Sequence, residues 1–274
     1  MHNGAKVAGG HGRAGELLLS AGAHLTRTAA PPGAAERARG RPGADTLDEA
    51  RCHAVLRQAA AVLLAHPDPA FYRRLPLVYR ALLELPPSPA RRGLTGFCDH
   101  AAAEPEARLA AHYTRVFDPR GRRALQLTVH TFGGHGDVRR RGHALARVQR
   151  VLADHGWSVA GPEPHDHLAV LLEFAARGDA AAGEALLNRF RSGVEPLRAR
   201  LHQDRSAYAP VLDAVCATLP PAAEPRAEGG LPAAPEPAPV TRIGAPAAPR
   251  PPAGEAPRVP PPRAAEPRTS HRRA

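Results

Sequence analysis

The chain has 274 residues, 43 % hydrophobic but only 4 % aromatic, so end-to-end disorder is excluded and a core of Leu, Val and Ala is expected. Its formal charge of +11 is spread out, +2 over residues 1–48, +6 over 49–220 and +3 over 221–274, which argues against a nucleic-acid domain with one concentrated basic patch. Cys52, Cys98 and Cys216 stand far apart and form no Cys-x-x-Cys pair, which argues against both a disulfide framework and a zinc knuckle.

Residues 1–45 are rich in Gly, Ala, Arg and His, with only Leu17–Leu25 able to turn locally into helix, and read as a disordered extension. Thr46-Leu47-Asp48-Glu49 has the capping-box form, in which hydroxyl and carboxylate satisfy free backbone N–H groups at a helix start. The stripe Cys52, Val55, Leu56, Ala59, Val62 and Leu63 follows at helical spacing. Asp68-Pro69 and Ser88-Pro89 each place a capping side chain before proline at the first helical position. They open helices lined by Phe71, Leu75, Val78, Leu82 and Leu85, and by Leu94, Phe97, Cys98 and Ala101. Glu104-Pro105 opens a fourth helix, carrying Leu109, Tyr113, Val116 and Phe117.

The fifth segment, Arg122–Phe132, fits helix or strand, because Leu125, Leu127 and Val129 alternate beside β-favouring threonines. Helical periodicity resumes at Val138 and ends at the cap candidate Gly156. A seventh helix runs from Leu168 to Gly178 behind Asp166 as N-cap, an eighth spans Leu186–Leu201, and Ser206 caps a ninth. Sixteen prolines between Pro220 and Pro267 leave too little apolar surface to offset ordering entropy, so 221–274 reads as a disordered Pro/Ala/Arg tail. The expected fold class is all-α, one helical domain of about nine helices over 46–220. No apolar run approaches the roughly 18 residues that span a bilayer, and the first residues lack a secretory signal, so a cytoplasmic protein is expected.

Four clusters invite chemistry. Gly133–Gly136 could wrap a phosphate, but Asp137 stands where a P-loop needs Gly-Lys-Ser/Thr, and a helix–helix turn fits better. The histidines between His130 and His167 lack the His-x-x-x-His spacing of a helical metal site. Asp137-Val138-Arg139-Arg140-Arg141-Gly142 combines a helix-start carboxylate with arginines suited to carboxylate or phosphate partners, or forms a solvated basic face. Asp166 and His167 adjoin at a helix start without a nucleophile at an obvious partner position, which favours capping over hydrolysis. Their adjacency also predicts a pH-sensitive element between about pH 5.5 and 8.

Tyr113–Asp118, Leu125–Thr128, Gly136–Gly142, His155-Gly156-Trp157 and Asp166–Ala175 follow one another in the order Tyr-Thr-Arg-Val-Phe-Asp, Leu-Gln-Leu-Thr, Gly-Asp-Val-Arg-Arg-Arg-Gly, His-Gly-Trp and Asp-His-Leu-Ala-Val-Leu-Leu-Glu-Phe-Ala. From about Arg51 to Pro220 the chain thereby resembles the NarJ-type nitrate reductase molybdenum-cofactor assembly chaperones, within the TorD family of redox-enzyme maturation proteins. The resemblance implies an all-helical, non-catalytic protein that binds the N-terminal segment of the nitrate reductase catalytic subunit. It would keep that subunit open for molybdenum cofactor insertion while holding no cofactor or metal stably. Carried over by motif, the client-binding surface would comprise Tyr113, Phe117, Asp137, Arg139, Arg141, Asp166 and His167. Gly136, Gly142, Leu168, Leu171, Leu172 and Phe174 would support it.

Cofactor-delivery proteins are a second class of candidate partner, whereas nucleic acid and stable membrane insertion are not expected. Glu163-Pro164-His165-Asp166-His167 resembles the block of the TorD branch and leaves a different molybdoenzyme open as client. An Arg-rich nucleic-acid-associated protein is the alternative from another class, and the absence of aromatic residues in the tail counts against it.

Overall fold

Proline and capping side chains set several of the helix starts along this chain. The computed structural model describes residues 13–28, 44–117, 124–132 and 138–219, all within one unit, Met1–Ala222. Its order is α1 (Arg13–Ser20), β1 (Leu25–Arg27), α2 (Ala44–Leu63), α3 (Pro69–Leu83), α4 (Pro89–Ala103), α5 (Glu106–Val116) and α6 (Leu127–Phe132). There follow α7 (Val138–Asp154), β2 (Trp157–Val159), α8 (Leu168–Arg177), α9 (Ala180–Arg189), α10 (Arg191–Gln203) and α11 (Ala209–Ala217). The fold is all-α, and a two-stranded antiparallel ribbon pairs Leu25 with Val159, Thr26 with Ser158 and Arg27 with Trp157.

Local chemistry accounts for many boundaries. Asp68 accepts a hydrogen bond from the Phe71 amide at 2.8 Å and Ser88 from the Arg91 amide at 3.1 Å, each ahead of proline at the first helical position. Gly156 follows α7 with φ of 75°, a conformation open to glycine because it lacks a Cβ. Gly178 ends α8.

Elsewhere the fold departs from the local reading. The first helix of the expected domain begins at Ala44, which puts Thr46 inside α2 rather than at its N-cap. The eighth expected helix is divided into α9 and α10 at Phe190, whose ring is fully buried at the turn. Ser206 accepts from the Tyr208 amide at 3.3 Å, ahead of α11 rather than within its first turn. The ambiguous fifth segment is both things in turn: Gln126 forms a single antiparallel bridge with His167, and α6 begins one residue later. Eleven helices therefore occur among the described residues, against the nine expected.

The largest departure is at the N-terminal side. Residues 13–28, assigned by composition to a disordered extension, form α1 and β1 and dock on the domain. Leu18 is fully buried and Leu25 nearly so, while the free amides of Ala14 and Gly15 at the start of α1 donate to the Glu84 carboxylate at 3.0 and 2.9 Å. The cap of α1 thus comes from the end of α3, a partner that no local pattern reveals.

The core is centred on α8, in which every residue from Leu168 to Ala175 is buried. One face packs on α2, whose residues Ala59–Leu63 are all fully buried, and another on α9. A Cβ at Gly183 would lie 2.4 Å from the Ala175 Cα, so glycine permits the close approach of α8 and α9. On the other side α11 lies against α4, where Phe97, Cys98 and Leu94 meet Val211 and Val215 in the same core.

Candidate functional site

Three of the motif blocks, far apart in sequence, meet at one carboxylate. Asp166 is fully buried, and its Oδ2 accepts from the Thr128 amide at 3.1 Å and from the Thr128 hydroxyl. The Arg141 Nε donates to the same hydroxyl oxygen at 3.0 Å. Two backbone bonds close the clip: the Leu127 amide to the Asp166 carbonyl at 3.1 Å, and the Leu168 amide to the Leu125 carbonyl at 2.8 Å. The start of α6, the start of α7 and the entry to α8 are therefore joined by a chain running from Arg141 through Thr128 to Asp166. Asp166 Oδ1 is buried and has no partner among the described residues.

Asp166 does not cap α8, as the spacing suggested. The N-cap is His167, whose Nδ1 accepts from the Ala169 amide at 3.3 Å. The carboxylate turns instead toward the start of α6, where a backbone amide and a hydroxyl both point at it. His167 is only 8 % exposed, its ring centroid 6.3 Å from that of His24. Burial above all, with the nearby His24, lowers its pKa to about 4 against the opposing pull of Glu163. It is therefore neutral across pH 5.5–8, and the pH-sensitive element read from its adjacency to Asp166 is not at this imidazole in that range.

Tyr113 and Phe117 join an aromatic cluster around the fully buried Tyr208. Ring centroids lie 4.8 Å apart for Phe117 and Tyr208, 4.6 Å for Phe97 and Tyr208, and 5.0 Å for Tyr113 and Phe117. Tyr113 is half-buried and donates its hydroxyl to the Leu64 carbonyl at 3.0 Å, and burial pushes its phenol upward. Phe117 is only 5 % exposed. These two side chains fasten α5 to the end of α2 and to the turn before α11, an interior task rather than a rim position.

Of the remaining candidates, Arg139 is exposed on α7, Arg141 is half-buried and Gly142 is exposed with open space where a Cβ would stand. Leu168, Leu171, Leu172 and Phe174 are fully buried. Gly136 and Asp137, with the rest of the loop from Gly133, lie outside the described residues. Among the described residues no group of three His, Cys, Asp or Glu side chains is placed to hold a metal ion, and no helix is long and apolar enough to cross a membrane. The six motif-derived residues that are described therefore do not share one exposed surface. Asp166, His167 and Phe117 are internal, Tyr113 and Arg141 are half-buried, and Arg139 is exposed.

Sequence reasoning missed Thr128, Tyr208 and above all Glu173. The Glu173 carboxylate is fully buried and accepts the amides of Ala23, His24 and Leu25 at 2.9, 2.9 and 3.1 Å, while Arg177 pairs with it one turn on. Arg177 also donates from Nε to the Leu19 carbonyl at 2.7 Å. A signal was present: Glu173 is the single charged residue in the apolar run Leu168–Ala175, and a buried charge requires partners.

Residues 84–214 match the family described as nitrate reductase delta subunit. The chain is 27 % identical over 161 residues to the probable nitrate reductase molybdenum cofactor assembly chaperone NarJ of Bacillus subtilis strain 168, covering 59 % of this chain and 86 % of that one. It is 32 % identical over 164 residues to the nitrate reductase-like protein NarX of Mycobacterium tuberculosis strain CDC 1551, covering 60 % of this chain and 24 % of that one. The chain thus spans about a quarter of NarX and most of the Bacillus NarJ. The motif blocks from Tyr113 to Ala175 all lie inside the residues that match the nitrate reductase delta subunit family, so that the helical domain of this chain is similar to that family and to a NarJ-type relative.

Proposed function

We propose that this protein is an assembly chaperone for a nitrate reductase. It holds the N-terminal segment of the catalytic subunit until the molybdenum cofactor has been inserted, acts in the cytoplasm, catalyses no reaction and keeps no cofactor itself. The observation that carries this reading is the family match over residues 84–214, supported by a relative named as a molybdenum cofactor assembly chaperone and aligned over 86 % of its length. Cofactor-delivery proteins are a further class of partner within the same proposal.

The physical division of labour follows from burial. Asp166, Thr128 and Arg141 are positioning residues that hold the starts of α6 and α7 against the entry to α8. Tyr113 and Phe117 fix α5 behind them. Contact with the client then falls to exposed groups at the start of α7, with Arg139 as the candidate; Asp137, two positions earlier in sequence, lies outside the described residues. An amphipathic client helix would present acidic groups, or its carbonyl end, to Arg139.

Calorimetric titration of the full chain with the first ~30 residues of the host's nitrate reductase catalytic subunit, several helical turns in length, tests this reading. Saturable binding, weakened at least several-fold by Arg139→Ala, is the expected result. A folded protein that binds no such peptide would overturn the nitrate reductase assignment. Binding to the corresponding peptide of another molybdoenzyme would instead move the client to the TorD-like alternative.

A further inference from the structure

Residues 13–28 are held by three buried side chains, Leu18, His24 and Leu25, and by a polar grip that falls largely on their backbone. Two buried or half-buried carboxylates receive five of their amides, Glu84 those of Ala14 and Gly15, and Glu173 those of Ala23, His24 and Leu25. Arg177 donates to the carbonyls of Leu19, Ser20 and Leu25. Ladder bonds at 2.8 Å run from the Ala160 amide to the His24 carbonyl and from the Thr28 amide to the Gly156 carbonyl. Backbone groups are common to all sequences, so a receptor that reads them tolerates other occupants. Among larger side chains of the segment only Leu18, His24 and Leu25 are buried, while Leu17 is 54 % exposed.

Two further observations treat the segment as an occupant. Among the described residues, a cavity of about 250 Å³ lies beside α1, lined by Gly15, Arg51, Cys52, Val55 and Glu84 among others. The receptor groups Glu84, Trp157, Glu173 and Arg177 lie within the residues matched by the family, whereas residues 13–28 precede them.

We propose that the end of α3, the C-terminal half of α8 and the edge of β2 form a polypeptide-binding cleft, filled here in cis by residues 13–28, and that this segment exchanges for another of the same form. The occupant it fits is a helical turn running into an extended strand, with apolar side chains at the positions of Leu18 and Leu25. The extended part adds a strand to β2, and the carboxylate of Glu173 replaces water around three successive amides that a strand edge otherwise exposes. The inference stands apart from the nitrate reductase reading, since it concerns a different cleft and requires no particular client.

Trp157 is the only tryptophan of the chain, and the guanidinium carbons of Arg27 and Arg177 lie 5.0 and 5.2 Å from its ring. Its emission therefore reports whether β1 is in place. The test is a full-length chain with a protease recognition sequence inserted within residues 29–43, cut after purification and mixed with a fluorescent synthetic peptide of residues 13–28. The expected results are saturable uptake by anisotropy and release of the native fragment on a gel-filtration column. Peptides carrying Leu18→Asp or Leu25→Asp should bind at least tenfold more weakly. Glu173→Gln in the protein should speed fragment release at least tenfold with a Trp157 emission change, and if that variant does not fold, the peptide substitutions decide. Failure of excess peptide to enter, or equal uptake of the substituted peptides, would overturn the proposal.

Discussion

Glu173 and Asp166 are two fully buried carboxylates on the same stretch of chain, one inside α8 and one just ahead of it, and their surroundings differ. Glu173 receives three backbone amides and a guanidinium from Arg177. Asp166 receives an amide and a hydroxyl on one oxygen, while its other oxygen has no partner among the described residues. Glu173 fastens chain from the opposite end of the sequence, and Asp166 fastens the adjacent turn at α6. A carboxylate so fully coordinated behaves as a structural bolt, whereas the one with an open oxygen stands where the motif blocks of the family converge.

The sharpest way to break this contrast is Glu173→Ala. It strands Arg177, 14 % exposed, and three amides at once, so unfolding in urea should show a loss of about 3–5 kcal/mol. A loss below about 1 kcal/mol would reduce Glu173 to the rank of an ordinary surface charge. Deleting residues 1–28 removes the same partners from the other side, and should lower stability and shift Trp157 emission even though composition suggests a dispensable extension.

Acid comes next. His167 has a pKa near 4 in the folded protein against about 6.5 in the unfolded chain. Between those values only the unfolded chain takes up the proton, so stability falls as pH drops from about 6.5 to about 4, by up to about 3 kcal/mol. Burial lowers His53, His112 and His130 as well, which adds in the same direction. Denaturant midpoints measured at pH 7.5 and 5 should separate, and His167→Gln should narrow the gap; an unchanged gap would remove His167 from the account.

Asp166→Ala should cost about 2 kcal/mol, less than Glu173→Ala, because fewer bonds to a charged group are lost. Thr128→Val breaks the same chain, so the double variant should fall short of the sum of the singles; full additivity would mean that Arg141, Thr128 and Asp166 act independently. The smallest effect is reserved for Arg139→Ala, within about 0.5 kcal/mol in stability because the side chain is exposed. Its expected signature is weaker peptide binding in calorimetry without a change in denaturant midpoint.

What the sequence made legible was local. Asp68, Ser88, Gly156 and Gly178 mark boundaries where they were expected, because a cap or a left-handed turn is decided within a few residues. The ribbon and α1 were not legible, since β1 pairs with the distant β2, the amides of Ala23–Leu25 reach Glu173 about 150 positions away, and those of Ala14 and Gly15 reach Glu84 about 70 positions away. Asp166 was placed on the right segment but given the wrong partner, because a cap and a cross-chain acceptor have the same local pattern. Phe117 was read as a site residue from its motif, and only the packing of Tyr208 against it shows that it faces inward.

The run Ala59-Ala60-Ala61 in α2, buried against α8, has a thermodynamic consequence of its own. Alanine has no rotamers to freeze, whereas each leucine buried in its place would surrender about 0.5–1 kcal/mol of side-chain freedom. Short side chains also let helix axes approach closely, so this contact gains dispersion from backbone atoms and costs little order. The interface should accept serine-sized changes more readily than an added isobutyl group, which would wedge the two helices apart.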